Sequence, residues 1–117
     1  MKVVFHMKLN SAWKEEIAKL RSEFNSVEFV ETREGADVAS EVHDAQVVVG
    51  GKLTRQMLEQ AENLKALIVP FAGISHLPLD VIIERGIRVA NSHGNAKYVA
   101  ERTVAMILAF YGKIIEY

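Results

Sequence analysis

The sequence contains no cysteine, which excludes a disulfide scaffold, a thiolate metal site and thiol catalysis. It has no excess of either charge: 14 Lys and Arg against 15 Asp and Glu leave a net charge of −1. No strong field therefore draws nucleic acid or an anionic membrane, and neither is expected as a partner. The N-terminal apolar run, Val3-Val4-Phe5, is too short for a signal peptide. The most apolar stretch, residues 99–115, is interrupted by Glu101, Arg102 and Lys113. It falls short of the roughly 20 apolar residues that a membrane span requires. The four histidines, His6, His43, His76 and His93, form no close metal-ligand spacing, so no metal site is expected. There is no GxSxG elbow, no GxGxxG and no GxxxxGKS/T, hence no recognisable dinucleotide or nucleoside triphosphate site. These absences read as a cytoplasmic domain.

What is present is an ordinary globular composition. Of 117 residues, 50% are apolar and 25% charged, enough apolar surface to offset the ordering entropy of one domain. Apolar runs and helical patterns alternate with a repeat of roughly 20–25 residues. Val3-Val4-Phe5 reads as a first strand. Asn10 or Ser11 can cap a helix in which Trp13, Ile17, Leu20 and Phe24 recur at helical spacing. Residues 27–31 alternate as a second strand, broken by Gly35-Ala36-Asp37. Residues 45–49 are apolar apart from Gln46, as in a strand buried on both faces of a parallel sheet, and end in Gly50-Gly51. Thr54 caps the following helix, with Leu53 and Leu58 spaced as a hydrophobic staple. Ala66-Leu67-Ile68-Val69 is a fourth strand. Pro78 and Gly86 bracket a short helix by the proline-in, glycine-out rule, and residues 87–90 form a fifth strand. Asn95 caps a long last helix over residues 96–117. The alternation βαβαβαβαβα implies a parallel α/β sheet with helices on both faces, and the flavodoxin-like order 2-1-3-4-5 is expected.

The last helix is unusual. Val99, Val104, Met106, Ile107, Leu108, Phe110, Ile114 and Ile115 cover most of its circumference. Such a helix needs cover on more than one side. A sheet this small is expected to cover one face and a partner or further polypeptide the other. No glycine cap or proline stop is expected at its end.

In open parallel sheets ligands bind beyond the carboxyl ends of the strands. Three loops lie there. Gly50-Gly51-Lys52 could admit a ligand to the backbone and attract an anion, or be a tight turn with a solvated lysine. Phe71-Ala72-Gly73-Ile74 could hold a carboxylate on exposed backbone N–H groups. Asn91-Ser92-His93-Gly94-Asn95 is polar and opens the last helix, with capping the simplest role for Asn95. His6 sits at the same edge, at the end of the first strand. A receiver domain would need acidic residues where His6-Met7-Lys8 stand. A flavodoxin would need a Ser/Thr/Gly-rich loop where Lys8-Leu9-Asn10-Ser11-Ala12 stand. Neither fits.

Four linked segments carry a resemblance: Asn63-Leu64-Lys65-Ala66-Leu67-Ile68, Ala72-Gly73-Ile74-Ser75-His76-Leu77, Glu84-Arg85-Gly86-Ile87-Arg88-Val89-Ala90-Asn91, and Val99-Ala100-Glu101-Arg102-Thr103-Val104-Ala105-Met106-Ile107-Leu108. In order and spacing they resemble the D-isomer-specific 2-hydroxyacid dehydrogenases. The resemblance implies the N-terminal substrate-binding domain of a two-domain, dimeric enzyme, cut before its Rossmann domain. It implies hydride transfer between NAD(P)H and a 2-oxo acid. The catalytic Arg, Glu and His would lie outside this chain, which would be inactive alone and bind no cofactor tightly. Residue by residue, it implies that Ala72 and Gly73 hold the substrate carboxylate, with Gly51, Lys52 and Asn95 nearby. Thr103 matches a position near the nicotinamide, and the helix over 96–117 is implied in dimer contacts. Ser75 departs from the family's usual Asp or Asn. The other reading is a stand-alone flavodoxin-like interaction or small-anion-binding module.

Overall fold

The computed structural model describes residues 1–32 and 38–114. The elements run β1 (Lys2–Phe5), α1 (Ser11–Glu23), β2 (Glu28–Glu31), α2 (Val38–His43), β3 (Val47–Val49), α3 (Arg55–Gln60), β4 (Ala66–Val69), α4 (Leu79–Glu84), β5 (Arg88–Asn91) and α5 (Ala96–Tyr111). All strands are parallel, in the expected order β2-β1-β3-β4-β5. The Gly35-Ala36-Asp37 break lies outside the described residues.

Register divides the side chains between two faces. Val4, Val48, Leu67 and Val69 point to one side and join Val42, Leu58, Val81 and Ile82 in the larger core. That face is roofed by α2, α3 and α4. Val3, Phe5 and Val49 point to the other side and pack under Ile17 and Trp13 of α1. Right-handed crossovers dictate this division, since only the β1–β2 connection runs toward the β2 edge.

The helix ends show which sequence signals act. Asn10 and Thr54 both accept a backbone N–H three residues on, as N-caps should. Leu53 and Leu58 are both buried, completing the staple. The guanidinium of Arg85 donates to the carbonyls of Leu58 and Ala61, satisfying the C-terminal end of α3. Gly86, at φ 64°, ends α4 in a Schellman turn, with Ile87 N–H on Ile82 O and Gly86 N–H on Ile83 O.

The last helix departs from expectation in three ways. Asn95 makes no side-chain cap bond. Its backbone lies at φ −93°, ψ 0°, off the extended conformation from which a cap reaches forward. The helix stops at Tyr111 instead of running to Tyr117. Ile114 N–H bonds Ala109 O and Lys113 N–H bonds Phe110 O, a second Schellman turn with Lys113 at φ 51° in the left-handed place. Gly112 does stand at this end, one residue early, so a terminating glycine is present after all. Residues 115–117, Ile115 among them, lie outside the described residues. Finally, no residue of α5 is buried, where cover on one face was expected. The helix projects from the domain. The radius of gyration is 18.5 Å and the longest extent 57 Å, against about 13 Å for the radius of a compact domain of this length.

At the amino edge of the sheet, the Lys2 ammonium meets the Asp44 carboxylate while Gln46 bonds the Lys2 backbone. The hydrogen bond from Lys2 and its charge hold the Asp44 carboxyl below its ordinary value of 3.8. A lowered carboxyl contributes stability above its unfolded pKa and loses it as pH falls through the folded one. Asp44→Asn should therefore lower stability at pH 7 by under about 1 kcal/mol, as for exposed pairs. The loss should shrink as pH falls below the ordinary carboxyl value. Thermal melts of both chains at pH 7 and in a series below pH 4 check this.

Candidate functional site

The carboxyl edge of β1, β3 and β4 carries the loops singled out above, and backbone contacts fix them to one another. His6 N–H bonds Val49 O at 2.8 Å, and Gly50 N–H bonds Ile68 O at 2.9 Å. The His6 ring meets Lys52 O through Nε2 at 3.1 Å and the Thr32 hydroxyl through Nδ1 at 3.5 Å. Gly50 lies at φ 155°, and a Cβ there would strike the backbone carbonyl of His6. Glycine is thus required where the β1 and β3 ends close on each other.

Gly51 has a different reason for being glycine. A Cβ on it would run into the ring of Phe71, which covers it from the β4 loop. The His76 ring sits 5.7 Å from that of Phe71, and its Nε2 bonds Gly51 O at 2.6 Å. In this structure Gly51 is buried and makes room for an aromatic ring, while the exposed Lys52 ammonium has no acid partner among the described residues.

Ala72 and Gly73 lie on the open side of this seam. Both are exposed, and nothing approaches within 4 Å of where a Gly73 Cβ would be. Among the described residues, nothing accepts a hydrogen bond from the N–H groups of Ala72, Gly73 or Ile74. The loop is held from behind. Asn91 Nδ2 donates to Ala72 O at 2.7 Å and Ser92 N–H to Phe71 O at 3.3 Å. Adjacent unpaired N–H groups on a braced, exposed turn are suited to an anion with two oxygens.

Beside the loop lies a cleft of about 1510 Å³ whose walls include His6, Thr32, Gly51, Lys52 and Phe71. Among the described residues its charged walls are Lys8, Lys14, Arg21 and Lys52 against Glu31 and Glu41, an excess of positive charge. The structure thus brings Gly51 and Lys52 together with the root of the Ala72–Gly73 turn. It does not bring in the other two residues. Asn95 is exposed in the β5–α5 connection, and Thr103 lies on the projecting helix with its hydroxyl donating to Val99 O at 2.8 Å. Thr32 and His76 were not singled out for this site from the sequence, and Phe71 only as part of its loop, not as the ring over Gly51.

The sequence profile of the D-isomer specific 2-hydroxyacid dehydrogenase catalytic domain matches residues 3–111. The chain belongs to this family. Among its relatives within the 2-hydroxyacid dehydrogenases, the D-3-phosphoglycerate dehydrogenase of Methanocaldococcus jannaschii is 30% identical over 99 residues. These are 81% of this chain and 19% of that protein. The chain spans about a fifth of the length of the curated relatives it matches. Two solved structures share the fold. The PH0520 protein of Pyrococcus horikoshii has a TM-score of 0.75 at 28% identity, over 98% of this chain and 34% of its own. The NAD-dependent formate dehydrogenase of Staphylococcus aureus, solved in complex with NAD, has a TM-score of 0.73 at 26% identity, over 93% and 38%. A five-stranded parallel α/β domain of 2-hydroxyacid dehydrogenase type is therefore both observed and matched.

Proposed function

We propose that these 117 residues are the substrate-binding part of an NAD(P)-dependent D-2-hydroxyacid dehydrogenase, and that they anchor the carboxylate of a 2-oxo or 2-hydroxy acid. The observation that carries this reading is the trio of unpaired N–H groups at Ala72, Gly73 and Ile74, braced by Asn91 beside a cleft with excess positive charge. Lys52 adds charge at the cleft rim. Phe71 and His76 hold the β3 and β4 loops in register. Fixing the acid's carboxylate fixes the distance of its C2 from any second reactant, and this positioning is the chain's contribution to rate. The phosphoglycerate dehydrogenases among its relatives favour a substrate with a second anionic group, which suits the cationic walls.

NAD or NADP, when bound, supplies or takes the hydride. The residues described here do not form a cradle for it. A dinucleotide's pyrophosphate needs a G-x-G-x-x-G turn opening a helix, and the sequence has none. Here His6 fills the space at Gly50, Phe71 fills that at Gly51, and the Thr103 hydroxyl is bonded within its own helix. We accordingly propose that the chain alone turns over no NADH and binds no cofactor tightly, its catalytic Arg, Glu and His lying in the rest of the enzyme. We place the enzyme in the cytoplasm as a homodimer. The exposed apolar residues of α5 support a subunit contact, with Val99, Ile107, Leu108 and Phe110 each about half exposed or more.

The reading is tested at Gly73. Because the Cβ position is empty and φ is not in the left-handed region, Gly73→Leu should change stability by under about 1 kcal/mol. Its side chain would stand over the N–H groups. Calorimetric titration with 3-phosphoglycerate should show millimolar binding to the unaltered chain, about −4 kcal/mol, and at least a tenfold loss in the variant. Equal binding by both chains would remove the turn from the site.

A further inference from the structure

Two histidines hold successive carbonyls of the loop after β3. His76 Nε2 meets Gly51 O at 2.6 Å, and His6 Nε2 meets Lys52 O at 3.1 Å. A carbonyl only accepts, so each ring carries its proton on Nε2 and donates it. The Thr32 hydroxyl stands 3.5 Å from His6 Nδ1, the acceptor nitrogen of that ring. The two carbonyls belong to the peptide units on either side of the Lys52 α-carbon. Peptide units are planar, so pinning both fixes the direction in which the Lys52 side chain leaves the backbone.

What is held in this way is an exposed lysine with no acid partner among the described residues. A solvated lysine on a tight turn needs no such tether. The ends of the loop are already fixed, by Gly50 N–H on Ile68 O at 2.9 Å and by the burial of Leu53. The tether also reaches the Ala72–Ile74 turn. Phe71, whose ring lies over Gly51, directly precedes Ala72, and Leu77 N–H closes the far side of the turn on Ile74 O at 3.0 Å. His76 stands between, 5.7 Å from the Phe71 ring. The free N–H groups and the pinned lysine thus share one frame, and Lys52, His6 and Phe71 line one cleft.

We propose that His6 and His76 are positioning residues for Lys52, and that the ammonium they aim gives the site a preference for acids with a second anionic group. The proposal rests on the carboxylate reading above and adds to it what sets the second contact. An acid held by its carboxylate at the turn presents its other end to the cleft. A phosphate or second carboxylate there meets a cation whose stem already has its direction, so less freedom is lost on binding. An uncharged end gains nothing from Lys52.

The test uses a matched pair of acids, glycerate with one anionic group and 3-phosphoglycerate with two, titrated calorimetrically into the 117-residue chain. The unaltered chain should bind 3-phosphoglycerate at least about fivefold more tightly, the worth of one well-placed ion pair. His6→Phe combined with His76→Phe keeps a ring at each place and removes both donors. It should cut the preference to under about twofold, with glycerate affinity changed by less than about twofold. Lys52→Met should do the same, and adding the two phenylalanines to it should change nothing further. His6→Gln combined with His76→Gln carries N–H donors at similar reach and should keep the preference. Nitrogen-15 spectra of the unaltered chain should show both rings protonated at Nε2. An equal loss for both acids in the phenylalanine pair would give the histidines a merely structural role and overturn the proposal. A preference that survives the phenylalanine pair or Lys52→Met, or that vanishes with the glutamine pair, would overturn it as well. A chain that binds both acids equally at the turn would overturn it and leave the carboxylate reading standing. A chain that binds neither acid would overturn both.

Discussion

Gly50→Ala will destabilise the chain by about 3 kcal/mol, read as a lower urea midpoint at unchanged slope. Two costs combine at this position. The backbone at φ 155° is one that side chains rarely adopt, and the added methyl has backbone, not a flexible side chain, in its way. The His6 carbonyl cannot yield without disturbing the bond from His6 N–H to Val49 O that ties β1 to β3. Gly86→Ala is the built-in comparison. Its φ of 64° is also left-handed, but nothing lies within 4 Å of its Cβ. Only the conformational cost applies there, about 1 kcal/mol. Equal losses at the two positions would show that the carbonyl contact contributes nothing.

Leu67→Ala will cost about 3–4 kcal/mol, in the middle of the range for a buried leucine truncated in a packed core. Leu67 is fully buried at the centre of β4 and belongs to the larger core with Leu58, Val81 and Ile82. Its neighbour on the opposite face, Ile68, is 43% exposed. Ile68→Ala should therefore cost under about 1.5 kcal/mol in the monomeric chain, since little buried surface and no closed cavity are at stake. Parallel denaturant titrations of the two variants read the asymmetry of the sheet directly. A large loss at Ile68 would mean that this side of β4 is covered in the chain under those conditions.

Strand order and layering were legible because they follow from composition and handedness. Residues 45–49 contain no polar side chain but Gln46, a pattern only a strand buried on both faces tolerates, and it became β3 at the sheet's centre. Strand limits moved by a residue or two, as at Val27 and Ala45, where the chain is packed but not paired. Caps were legible where a side chain reached its own backbone, at Asn10 and Thr54. They failed at Asn95 because the loop before α5 takes its geometry from Phe71 and Ala72, some twenty residues away. The end of α5 was missed because the left-handed place fell to Lys113 and not to Gly112.

The geometry of the candidate site was legible in part. Ala72, Gly73, Gly51 and Lys52 came from loops that any parallel sheet presents at its carboxyl edge. The roles of Gly50, Gly51 and Phe71 depend on contacts across 20 to 46 residues of sequence, and a sequence pattern does not reveal which ring lies over which glycine. The projection of α5 was hidden for a similar reason. The sequence shows an apolar helix, but only the structure shows that none of its residues is buried.

The central claim, that the turn at Ala72, Gly73 and Ile74 holds a carboxylate, is tested most directly by titrating the isotopically labelled chain with pyruvate and following its backbone amides by NMR. The account predicts that the amide signals of these three residues move first and saturate together at millimolar concentration, and that Gly73→Leu abolishes the movement. Signals that stay still in the turn, or that move only at surface lysines remote from it, would contradict the claim.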